Sequence, residues 1–219
     1  ATDLGQCILK VVVSERQQRG MLFAPIHWSE ENSAYGRVGA LVAPFTDPFS
    51  GQPENKATPV AIEAVTFAQR GFVLSRKPMP FPKGVLWSRM AVTGGYGYLI
   101  ASNLEMANWK TQLSPQGEAG HVAEYEDPAL GVYRVAHFDG ERLEAVLFVG
   151  PVDTSLNWDA VRGAFAAETI SDEQRRLLLS GKSTDGVAND GPVVCACFGV
   201  GRNTICGAIA GGSRTTGEI

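Results

Sequence analysis

Nowhere in the 219 residues do about 18 apolar residues run together, the length a membrane-crossing helix requires. The first residues also lack the basic-then-apolar order of a secretory signal. Lysine and arginine never gather into a run, and 19 basic against 23 acidic side chains leave a net charge of −4. That balance argues against nucleic acid or a membrane surface as the main partner, and the expected compartment is the cytoplasm. Histidine is scarce, with three in the chain. His121 and His137 stand far apart, without Cys or carboxylate at metal-ligand spacing, and read as solvated or core-edge imidazoles. With 44% hydrophobic residues the chain can bury a core, in one large domain or two small ones.

The stretch from Met21 to Val60 holds most of the information. An apolar run, Met21 to Ile26, ends in His27 and Trp28, and a second, Val38 to Val42, follows a polar loop. Both read as short strands delivering polar ends to one place. Beyond them Asp47, Ser50, Gln52, Glu54 and Lys56 are bracketed by Pro48, Gly51 and Pro53. By composition alone this is an exposed turn, since Ser, Gly, Gln and Pro make up any loop. A fixed loop carrying amide, hydroxyl and ammonium groups also suits a large polar ligand.

Two further strands are expected in this first part, at Cys7 to Ser14 and at Ala57 to Val65. Cys7, among Ile8, Val11 and Val12, reads as a small buried hydrophobe. From Thr66 the pattern changes. Pro78, Pro80 and Pro82 mark a loop or an edge, residues 96–100 a strand, and GVYRVAHF and ERLEAVLFVG a hairpin closed by Asp139-Gly140. Asp153-Thr154 caps a predicted helix that places Leu156, Val161 and Phe165 on one side. Ser171 and Gln174 form a capping box for the next helix, which Gly181 closes. A sheet with helices on it follows.

Near the end, Cys195 and Cys197 form a C-x-C pair ahead of a glycine-punctuated helix. In extended backbone, residues two apart point the same way, so both thiols can face one metal centre. Two Cys do not complete a four-thiolate site. Cys206 lies in the following helix beside Ile205 and Ile209 and reads as a buried, inert thiol.

The segments HW, GRVGALV and DPFSGQPENKATPV resemble the closing half of the molybdopterin-dinucleotide-binding domain of molybdenum oxidoreductases of the dimethyl sulfoxide reductase family, and within it the bacterial assimilatory nitrate reductases. The resemblance implies that His27, Trp28, Gly39, Gln52 and Lys56 bind the cofactor, molybdopterin guanine dinucleotide. Gly39 stands where that family usually has Asn, leaving a backbone N–H in place of a side-chain amide. The run from Cys195 to Ile219 resembles the first half of a bacterioferritin-associated-ferredoxin-like module, which implies that Cys195 and Cys197 are ligands of a two-iron, two-sulfur cluster. More loosely, the middle region resembles the module that precedes cluster-binding segments in large nitrite reductase subunits.

The fold class implied is α+β: a partial double-psi β-barrel over residues 1–65, a middle α/β domain over 66–190, and a truncated helical cluster-binding segment over 191–219. The activity implied is reduction of nitrate to nitrite by a longer chain of which this is a piece, inactive alone, with electrons from a ferredoxin, flavodoxin or flavoprotein. A formate-dehydrogenase-like enzyme and a non-enzymatic electron-transfer module are the alternatives.

Overall fold

The computed structural model describes residues 1–53, 58–112, 120–154, 158–180, 193–195 and 200–215. The chain divides into two compact units, Ala1–Thr66 with Leu86–Ser88, and Phe67–Val85 with Arg89–Ile219.

A six-stranded antiparallel sheet falls in the second unit except for Leu86–Ser88. Its strands are β1 (Gln69–Ser75), β2 (Leu86–Val92), β3 (Gly95–Ser102), β4 (His121–Asp127), β5 (Val132–Asp139) and β6 (Arg142–Pro151), in the order β2-β3-β1-β6-β5-β4. β1 lies inside, paired with β3 on one side and β6 on the other. Such a strand must be apolar on both faces, and Gly71 to Ser75 are all buried. The glycine is needed, because a Cβ on Gly71 would come 2.1 Å from the Phe148 carbonyl oxygen.

One face carries the larger core. Phe72, Leu74, Ala136, Val146 and Phe148 meet Val161 and Phe165 of α2 (Trp158–Ala166) and Leu178 of α3 (Asp172–Leu178). Phe72 stacks on Phe148 with 4.9 Å between ring centroids, and Trp158 packs edge-on against Phe72 at the same distance. On the other face Val73 and Leu147 are buried, as are Tyr98 and Trp109. Trp109 belongs to α1 (Met106–Gln112), and its indole N–H donates to Gln69 Oε1 at 3.0 Å. Tyr98 is held edge-on by Phe81 of the proline-rich loop, which forms no strand.

The hairpin forms as read, with its turn one residue later. Asp139 pairs with Arg142, leaving Gly140 and Glu141 as the central residues. Gly140 has φ +54, a left-handed value that glycine takes without strain in a two-residue hairpin turn. The capping box on α3 is present, with Ser171 Oγ accepting from Gln174 N–H and Gln174 Oε1 from Ser171 N–H. Leu156 and Gly181 lie outside the described residues.

Arg76 ties these parts together. Its guanidinium donates to the carbonyls of Leu143 (3.1 Å), Gly94 (2.9 Å) and Phe165 (2.6 Å) and lies 4.0 Å over the Phe165 ring. One cation thus joins the β6 start, the β2–β3 turn and the C-terminal end of α2, where the helix dipole favours positive charge.

In the first unit the strand expectations fail. Residues 7–14, 21–26 and 58–65 form no strand, and Val38–Leu41 is a 3-10 helix. β-Branched residues make a strand only when a ladder and a buried face reward them. Here Val11, Val12 and Val13 are 75, 82 and 92% exposed, so neither reward exists. Ladder pairing is replaced by single links: Ile8 N–H to the Tyr35 carbonyl (2.7 Å), Ala61 N–H to the Ala1 carbonyl (2.9 Å), and Thr2 Oγ1 to the Leu41 carbonyl (3.2 Å). Cys7 is half-buried, and burial pushes its thiol pKa up.

The last described pieces are a short ladder of β7 (Val193–Cys195) and β8 (Val200–Gly201), then α4 (Arg202–Ala210). Cys206 on α4 is exposed, correcting the expectation of a buried thiol, because no residue of α4 is buried. No helix among the described residues is long and apolar enough to cross a membrane.

Replacing Arg76 by Met leaves three carbonyls short of a donor, and is expected to destabilise the protein by about 1–3 kcal/mol. A lower urea midpoint with an unchanged m-value is the measurement. His137 is half-buried on β5, its Nε2 lacks a hydrogen-bond partner among the described residues, and burial lowers its pKa from the ordinary 6.5. The unfolded chain therefore binds this proton first as pH falls. Its contribution is fully present above pH 6.5 and is lost as pH drops toward the lower folded value. Stability measured against pH should decline in that window, and His137→Leu should flatten the decline.

Candidate functional site

Local hydrogen bonding, not regular structure, shapes the stretch from His27 to Pro53. Asn32 works like a cap: its Oδ1 accepts from Ser29 N–H (2.7 Å) and its Nδ2 donates to the His27 carbonyl (3.3 Å). Ser33 N–H returns to the Ser29 carbonyl at 2.9 Å. The chain therefore reverses just after His27 and Trp28, leaving the imidazole exposed and the indole half-buried.

The reversal continues through Tyr35, whose φ of 62 is the positive value among non-glycine residues of the described chain. Gly36 follows, packed so closely that a Cβ there would sit 2.4 Å from Ser33 Oγ and 3.6 Å from Trp28 Cβ. Trp28 Cβ therefore lies beside Gly36, shortly before the 3-10 helix. Gly39, in that helix, is exposed, and no atom lies within 4 Å of where its Cβ would be. A ligand could reach the backbone there.

A second loop is fixed by Asp47. Its Oδ1 accepts from Phe49 N–H (3.1 Å), Ser50 N–H (2.7 Å) and Ser50 Oγ (2.8 Å). These bonds, the Ser50 amide first, hold the carboxyl below the usual carboxylate pKa. Asp47 N–H donates to the Gln52 carbonyl (2.9 Å), Gly51 N–H to the Asp47 carbonyl (2.8 Å), and Thr46 bridges Pro53. Gly51 takes φ +70, which a larger side chain would resist. The result is a closed polar loop that presents Gln52 to solvent.

Of the candidate residues, His27, Trp28 and Gly39 fall in one locally folded stretch. Gln52 stands on the Asp47 loop, and among the described residues no hydrogen bond or ion pair links that loop to the other three. Lys56 lies outside the described residues, as does Cys197. Cys195 ends β7, opposite Val200. No group of three or more His, Cys, Asp or Glu among the described residues is placed to hold a metal ion. Asn32, Tyr35 and Gly36 were missed from the sequence as shaping residues. Ser29-x-x-Asn32 is a legible turn signal, whereas nothing in the residue type announces a left-handed Tyr.

Residues 1–59 match the Molydopterin dinucleotide binding domain family. Over 216 residues, 98% of its length, the chain is 33% identical to a nitrate reductase of Klebsiella oxytoca, of which it spans 24%. No solved structure matches.

Asp47→Ala removes the acceptor that fixes the second loop. Amide hydrogen exchange at Phe49 and Ser50 is expected to quicken, with β1 and β6 unchanged. Unaltered exchange at both amides would show that the loop is held by Gly51 and the Thr46–Pro53 bridge alone.

Proposed function

We infer from these two matches that the chain is a portion of a molybdenum oxidoreductase of the nitrate reductase family, acting in molybdopterin binding. The observation that carries the reading is the dinucleotide-binding match at residues 1–59, on the stretch where the backbone is held by local bonds with an imidazole, an amide and an open glycine facing solvent. Those groups suit the cofactor: a side-chain amide and an imidazole can bond a pterin edge, and an uncrowded backbone N–H admits a flat ring. The chain spans about a quarter of the relative it matches, so the activity belongs to a longer polypeptide.

In that polypeptide molybdopterin guanine dinucleotide, when bound, supplies the redox centre at which nitrate is reduced to nitrite. The residues of this chain orient it. His27, Trp28, Gly39 and Gln52 would line its edge, and Lys56 would neutralise an anionic oxygen as a point charge. Cys195 and Cys197 would give half the ligands of a two-iron, two-sulfur cluster that receives electrons from a ferredoxin, flavodoxin or flavoprotein in the cytoplasm. Domain limits at 1–65, 66–190 and 191–219, the first completing a double-psi barrel with upstream strands, belong to the same proposal. Its role is assimilatory.

The test is made on the complete polypeptide that carries this sequence. Purified aerobically, it should contain molybdenum and a pterin dinucleotide and reduce nitrate with a dye donor. A protein free of molybdenum and pterin would overturn the reading. Lys56→Ala should lower molybdenum content, since a charge-assisted bond of this kind contributes about 1.5–3 kcal/mol. Equal content in variant and parent would place Lys56 in solvent. In the same polypeptide, Cys195→Ser or Cys197→Ser should remove the iron and sulfide of one cluster, measured chemically and by visible absorption, while molybdenum content stays unchanged.

A further inference from the structure

We draw no further inference here: the strongest candidate, the exposed apolar loops at residues 11–13 and 21–26 of the first unit, carries nothing because nothing in the structure shows what covers them.

Discussion

The contact of Phe72 with Phe148 across the β1–β6 pair is the constraint on which the second unit depends. β1 arrives from the amino-terminal side of the chain and β6 closes the later β4–β5–β6 meander, so this pairing welds two strand groups into one sheet. Trp158 and Phe165 bring α2 onto the same aromatic surface, and Arg76 fastens the helix end to both strand groups. Fully burying a side chain such as Phe148 is worth about 1.5–3 kcal/mol before packing geometry is considered. Removing it would also open a cavity between helix and sheet.

The first unit rests on a different economy of bonds. Among the described residues of Ala1–Thr66, Val38 is the buried large hydrophobic, and most of the apolar side chains face outward. Its shape comes from turns closed by Asn32 and Asp47, from left-handed Tyr35 and Gly51, and from isolated links between distant segments. Turn bonding of this kind fixes backbone direction over a few residues but confers little cooperativity. Placing the proposed cofactor-binding residues on such turns agrees with the general use of loops for recognition and of ladders for support.

Legibility followed the same division. The β5–β6 hairpin, the α3 capping box and the buried side of α2 were readable, because each rests on a local code: turn glycine, Ser-x-x-Gln, and spacing of Val161 and Phe165. The hairpin turn was misplaced by one residue because Asp-Gly can occupy either half of a two-residue turn. Strands at 7–14 and 21–26 were read from β-propensity alone, which says nothing about whether a neighbouring strand is there to pair with. Cys206 was misread for a related reason. Its apolar neighbours Ile205 and Ile209 suggested a buried helix side, yet burial needs a surface to pack on, and α4 has none among the described residues. At the candidate site, His27, Trp28 and Gln52 were singled out by resemblance, while the bonds that aim them were not visible without backbone geometry.

Asp47 also has an electrostatic meaning. One oxygen of its exposed carboxylate, Oδ1, accepts from two amides and a hydroxyl, so the charge is partly balanced by donors of its own loop. Held in this way, the acid sets the curvature of the loop, and the same amides keep its pKa below the usual carboxylate range. The shape and the ionisation of this loop are then coupled through a single side chain.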